Sequence, residues 1–188
     1  MDPNTSLAEI TLTAFDFETT GLHAGIDKIV EFGAVQFRDG QQVGSFEALC
    51  NPGIPIHPDA ARVSGITDEM VAGEPSVQEV LQQFIGFVGD SVLIAHNAQF
   101  DLGFLRAALL EFGLPDMKNQ VIDTQKLAQK AFPGQKSYSL QNLVAFLGIP
   151  PNTAHRAKDD AYMCMRLFTA AADALSFMGD ITIGEVLG

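Results

Sequence analysis

Cysteine is scarce in this chain of 188 residues: Cys50 and Cys164 stand far apart, and neither lies in a C-x-x-C setting. That pattern excludes a disulfide framework and a cysteine-rich zinc site, so two reduced structural thiols are expected and any bound metal should be held by oxygen. Long apolar runs are also missing. No segment approaches the roughly 20 apolar residues of a membrane-spanning helix, and the first residues, "MDPNTSLAE", are polar and acidic where a secretory signal would be apolar. A cytoplasmic protein with no membrane partner is the expectation. Linkers, low-complexity tracts and fixed-period repeats are lacking too, and "NPGIPIHP" at 51–58 reads as a rigid connection, not a boundary. With 47% hydrophobic residues, one domain with a full core is expected over residues 1–188.

Positive charge is the other deficit. Eleven Lys and Arg face 23 Asp and Glu, a formal net charge of −12, which argues against a general nucleic-acid binder. The charge is unevenly placed, however. Residues 1–117 hold 17 acids and 4 bases, whereas residues 118–166 hold 3 acids and 7 bases. Lys126 and Lys130, one helical turn apart, together with Lys136, Arg156 and Lys158 supply the concentrated positive charge.

What is present is alternation. "EITLTAFDF" (9–17), "KIVEFGAVQF" (28–37) and "QQVGSFEALC" (41–50) read as three strands of a meander, with "RDGQQ" turning between the second and third. A short helical piece, "PDAARVSG", is followed by a helix at 76–89 capped by Ser76, a buried strand "SVLIAH", a helix at 97–113 capped by Asn97, and a strand "QVID". Three helices follow: "TQKLAQKAF" stopped by Pro133, "SLQNLVAFLG" stopped by Gly148, and a long one from about Arg156 to Leu175. Strands first and alternation later imply an α/β domain with a mixed central sheet.

Three stretches carry acids in pointed positions. In "FDFETTG" (15–21), Asp16 and Glu18 share one face of a strand while Phe15 and Phe17 face the other way. A solvated strand end would show this pattern, and so would a divalent-cation site, because a cation or a raised pKa relieves two adjacent carboxylates. Thr19, Thr20 and Gly21 follow, offering hydroxyls and backbone N–H groups to an anionic ligand. In "HNAQFD" (96–101), Asp101 lies in the first turns of a helix; in "HRAKDDA" (155–161), His155 precedes a helix whose first turns hold Asp159 and Asp160. Taken singly, such acids are accounted for by the helix dipole.

Together and in this order, the three stretches resemble the motifs of the DEDD superfamily of 3′→5′ exonucleases, in the histidine-containing branch that includes the proofreading epsilon subunit of bacterial DNA polymerase III. In that branch a histidine precedes the last aspartate by five positions, which assigns the third motif to His155 and Asp160. "IHPDAARVSGIT", "VIDTQKLAQKAFP" and "SYSLQNLVAFLGI" are similar to the family's intervening segments. Ser64 departs from the pattern, since relatives often carry histidine there.

The resemblance implies a ribonuclease-H-like fold, with a five-stranded mixed sheet flanked by helices and its first three strands antiparallel. It implies two Mg²⁺ or Mn²⁺ ions, with Asp16 as bridging ligand, Glu18 and Asp160 on the nucleophile side, and Asp101 on the other side through water. His155 is then the general base. Five residues span about 500° of helix, so His155 and Asp160 cannot share a helical face and His155 belongs in the preceding loop. His96 reads as a structural histidine and Asp123 as the cap of the helix at Thr124, while Asp159 points about 100° away from Asp160. Lys136, Arg156 and Lys158, with Thr19, Thr20 and Gly21, are the expected substrate contacts. The expected substrate is a single-stranded DNA 3′ end and the product a nucleoside 5′-monophosphate, with RNA 3′-end trimming or a non-cutting binding module as alternatives. A DNA polymerase is a candidate partner; 28 residues follow Asp160, so it would dock on the globular surface.

Overall fold

The first strand forms where β-branched and aromatic residues alternate with small ones, "TLTAFDFET", and it runs further than its composition suggests. In the computed structural model, which describes all residues except 1, 3, 151–154, 177–181 and 188, β1 spans Thr11–Thr19 and so contains both Asp16 and Glu18. Its expected start at Glu9 is corrected: Leu7–Glu9 form a 3-10 turn whose Ala8 N–H is accepted by Ser6 Oγ at 3.3 Å. β2 (Ile29–Arg38) and β3 (Gln41–Leu49) complete an antiparallel meander. Asp39 and Gly40 turn between them, both at positive φ (50° and 68°), as the twist of a two-residue hairpin requires.

β4 (Val92–Ala95) lies parallel to β1, and β5 (Val121–Asp123) parallel to β4, giving a mixed five-stranded sheet of order β3-β2-β1-β4-β5. The helices are α1 (Pro58–Ser64), α2 (Asp68–Val71), α3 (Val77–Val88), α4 (Gln99–Glu111), α5 (Thr124–Ala131), α6 (Leu140–Phe146), α7 (Ala157–Leu175) and α8 (Ile183–Leu187). With 4 and 5 residues, α2 and α8 are too short to announce themselves by periodicity. Ser76 caps α3 in a reciprocal box with Glu79. Asn97 does not cap α4: it sits at φ 56° and the helix starts at Gln99 without a side-chain cap. Its backbone N–H instead donates to Asp123 Oδ1, which also caps α5. No helix among the described residues is long and apolar enough to cross a membrane.

The strand period sorts the core onto two faces. Odd positions of β1 place Phe15 and Phe17 with Phe32 and Phe84 beneath α3 and α4, where the rings of Phe17 and Phe32 meet edge-on with centroids 4.8 Å apart. Even positions place Leu12 and Ala14 with Val35, Ile94, Met165 and Phe168 beneath α7. Asp16 and Glu18 continue that second row, so both acids emerge on the face that α7 covers. Cys50 and Cys164 are free and buried.

Gly33 decides how closely α7 can lie. It pairs with Asp16 across the β1–β2 ladder, and a Cβ built there would stand 2.0 Å from the carbonyl carbon of Ala157. Only a residue without a side chain lets the first turn of α7 rest on the sheet. Gly33→Ala is therefore expected to destabilise the domain by about 3 kcal/mol, the upper range for overpacking against backbone. Gly86→Ala, in α3 with nothing within 4 Å of the added methyl, should instead stabilise by about 0.5–1 kcal/mol. Urea denaturation of the two variants reads the contrast directly.

Candidate active site

The site is assembled where α4 and α7 meet β1. The sheet reverses its strand order beside β1, with β2 on one side and β4 on the other; such a reversal opens a crevice at the strand ends. β4 leads into α4, whose first turn carries Asp101. This carboxylate is buried, 3% exposed, and its Oδ1 accepts the backbone N–H of Phe17 at 3.1 Å. Asp101 is thus tied to the peptide between Asp16 and Glu18.

α7 supplies the other side. Asp160 lies in its first turn, 6% exposed, and both its oxygens are occupied. Oδ2 accepts the backbone N–H of His155 at 2.8 Å, and Oδ1 accepts Gln141 Nε2, from α6, at 3.0 Å. His155 is exposed, in the turn before α7 at φ 60°, a left-handed conformation that strains a non-glycine residue. Glu18, His155 and Asp160 each offer one ligand atom, and these atoms all lie within 4.8 Å of one another.

The carboxylates repel. Burial pushes the Glu18 carboxyl up to about 8, and Asp160, Glu31 and Asp101 push in the same direction while Arg156 pulls back. Burial also raises Asp101 to about 7, against the N–H of Phe17. Asp16 stands well above the ordinary carboxylate range through burial and then the charges of Asp101, Glu18, Asp160 and Glu31. Asp160 is raised by burial, though the His155 N–H holds it down. Such a set of oxygen donors, with charge left uncompensated and an imidazole at its edge, fits hard divalent cations, and Asp16, Glu18, Asp101 and Asp160 are the residues that would hold them. The thiols point elsewhere: Cys50 Sγ donates to the Ile29 carbonyl at 3.2 Å, and Cys164 Sγ lies 3.4 Å from Thr124 Oγ1.

The residues expected to contact substrate do not all converge. Thr19 Oγ1 donates to the Gly21 carbonyl at 2.6 Å, and Thr20 Oγ1 donates to Asp27 Oδ1 at 3.3 Å. The Thr20 N–H donates to the Lys28 carbonyl. These hydroxyl protons brace the turn. At Gly21 an added Cβ would meet the Asp27 carboxylate at 2.5 Å, so this glycine makes room within the same brace. Arg156 is gripped by Glu31, with Nε 3.1 Å and Nη2 2.6 Å from Oε1, and Lys158 pairs with Glu47. Lys136 is exposed and has no ion pair among the described residues.

Three contributors escape a reading by motif. Glu31 is fully buried on β2, directly opposite Glu18; its one signal is a charge inside the apolar run "KIVEFGAVQF". Gly33 signals itself as a glycine inside a strand. Gln141 has no sequence signal. A cleft of about 510 Å³ opens beside Glu18, lined by Phe17, Leu22, Ile26, Val63 and Phe100 among others. His96 closes β4 away from this cleft, its Nε2 donating to the Tyr138 carbonyl at 2.8 Å and its Nδ1 facing Thr124 Oγ1 at 3.0 Å. Ser64, at the end of α1, spends its hydroxyl on the Ala60 carbonyl.

Comparison with known proteins places this geometry. Residues 13–168 match the RNase T family, described as exonuclease. The DNA polymerase III subunit epsilon of Treponema pallidum is 43% identical over 85% of this chain and 75% of its own length. The PolC-type DNA polymerase III of Thermotoga petrophila is 37% identical over 97% of this chain, which spans 13% of that much longer protein. Among solved structures, exonuclease X in complex with 5′ overhanging duplex DNA superposes with a TM-score of 0.74 at 31% identity, over 94% of this chain and 99% of that one. E. coli exonuclease I with a dA16 oligonucleotide shares the fold at a TM-score of 0.78 and 19% identity, over 88% of this chain and 41% of that one. The chain belongs to the RNase T/DEDD family of 3′→5′ exonucleases, hydrolases of nucleic-acid phosphodiester bonds.

Proposed function

We propose that the protein removes nucleoside 5′-monophosphates one at a time from the 3′ end of single-stranded DNA, using two Mg²⁺ or Mn²⁺ ions, in proofreading or repair. The observation that carries the reading is the convergence of Glu18, His155 and Asp160 within 4.8 Å, beside Asp16 and Asp101, at the edge of an apolar cleft. The cleft suits an unpaired terminal nucleotide, whose base can pack against Phe17 and Phe100 while its phosphate reaches Glu18. When bound, the cations would lower the pKa of the attacking water and neutralise the phosphate. Asp16, Glu18, Asp101 and Asp160 would hold those cations. His155, exposed at the rim, takes the proton of the attacking water and passes it to solvent. Lys136, exposed and without an ion pair among the described residues, is a cation that an incoming phosphate can meet. The similarity to an epsilon subunit and to PolC-type polymerases supports DNA over RNA and a DNA polymerase as partner, and the cytoplasmic location expected from the sequence goes with this reading.

Digestion of matched 5′-labelled DNA and RNA oligonucleotides tests the proposal. DNA should be shortened from its 3′ end in Mg²⁺ or Mn²⁺ and left intact in excess chelator. Asp160→Asn should lower the rate about 10³-fold, and His155→Ala about 10²–10⁴-fold with partial recovery at higher pH. Faster cleavage of RNA would instead make the enzyme an RNA trimmer.

Carboxyl protonation gives a second prediction. Glu18 and Asp101 are raised to about 8 and about 7 from ordinary values of 4.5 and 3.8. The folded chain therefore keeps protons that the unfolded chain has already released, and stability without cations must fall as pH rises through 7 to 8. In chelator, the melting temperature should drop between pH 5 and pH 8.5, Glu18→Gln should flatten that drop, and Mn²⁺ should restore more at pH 8.5 than at pH 5. Thermal melts across pH, with and without Mn²⁺, supply the measurement.

A further inference from the structure

α7 begins without a cap of its own. Its N-cap residue is Arg156, whose side chain has no acceptor to offer the first N–H groups of the helix. The acceptor comes from the neighbouring strand. Glu31 Oε2 receives the Ala157 N–H at 2.9 Å, and the same carboxylate takes Arg156 Nε and Nη2 at 3.1 and 2.6 Å on Oε1. One fully buried acid of β2 thereby fixes the two residues that follow His155. From the other side, the His155 N–H is held by Asp160 at 2.8 Å.

We infer that Glu31 and Arg156 form a positioning pair that holds His155 at the rim of the site, and that Arg156 is part of this scaffold instead of a contact for substrate phosphate. His155 stands at φ 60°, a conformation that reverts unless its surroundings fix it. Its one described backbone bond is to Asp160, and the chain beyond it is fixed by the Glu31 clamp. Nε and Nη2 of Arg156 are spent on Glu31, and drawing the guanidinium away to a phosphate would leave Glu31 buried and unpaired, which is strongly unfavourable. Glu47 lies 3.6 Å from Arg156 Nη2 and pairs with Lys158, so the outer side of the clamp also faces an acid, not an open channel.

The inference rests on the exonuclease reading above, and the test separates the two. Rates on a 5′-labelled single-stranded oligodeoxynucleotide in Mn²⁺ are measured for the unmodified chain, Glu31→Gln, Arg156→Gln, His155→Ala, and each of the first two combined with His155→Ala. Melting curves confirm folding. Alone, Glu31→Gln and Arg156→Gln should each lower kcat about 10–100-fold, the penalty of a group displaced by around an ångström. KM and the Mn²⁺ concentration for half-maximal rate should stay within about 3-fold. In the His155→Ala background each should cost less than about 2-fold, because the group they position is gone. Equal losses in both backgrounds, or a rise in KM that accounts for the Arg156→Gln defect, would overturn the inference. If Glu31→Gln does not fold, Arg156→Gln, at a side chain 36% exposed, carries the same comparison. An unmodified chain that digests neither DNA nor RNA would overturn the function itself, and the inference with it.

Discussion

Mutual repulsion of carboxylates at the end of β1 is the constraint around which this molecule is arranged. Asp16 and Glu18 share one face of the strand, Asp101 reaches them from α4, Asp160 from α7, and Glu31 stands opposite Glu18 on β2. Like charges held this close in a partly buried site oppose the fold that brings them together. The scaffold answers with fixed donors. The Phe17 N–H holds Asp101, the His155 N–H and Gln141 hold Asp160, and Arg156 with the Ala157 N–H hold Glu31. Asp101, Asp160 and Glu31 are thereby anchored, while the carboxyls of Asp16 and Glu18, pushed up by burial and by their neighbours, hold protons that a cation would displace.

The same economy explains the scarcity of free positive charge near the site. An acidic chain must still admit a polyanion, yet two of the cations nearest the site by sequence, Arg156 and Lys158, are bound to Glu31 and Glu47. Lys28 is likewise paired, with Glu111. The cleft beside Glu18 offers apolar surface instead, through Leu22, Ile26 and Val63, all more than half exposed. Apolar and aromatic contact with a terminal base tolerates any sequence, as an enzyme working from an end requires.

Much of this was legible in the sequence because it rests on local periodicity. Alternation in "TLTAFDFET" fixes which way Asp16 and Glu18 face, and a five-residue interval keeps His155 out of the helix of Asp160. The turn at Asp39–Gly40 and the cap at Asp123 follow from residue chemistry within a few positions. What stayed hidden depends on pairing between distant segments. Arg156 reads as a free cation until β2 is placed beneath α7 and Glu31 meets its guanidinium. Asn97 has the composition of a cap, but the left-handed turn after β4 sends its N–H to Asp123. Register and long-range contact decided each of these cases.

A cation site at this carboxylate cluster would have its charge held back by protonation in the free protein. Calorimetric titration of the purified chain with Mn²⁺ at pH 6.5, in two buffers of different ionisation enthalpy, tests it most directly. With Glu18 near 8 and Asp101 near 7, binding should release protons, and the apparent enthalpy should differ between the buffers in proportion to their number. Binding with no proton release, or no binding at millimolar Mn²⁺, would rule such a site out.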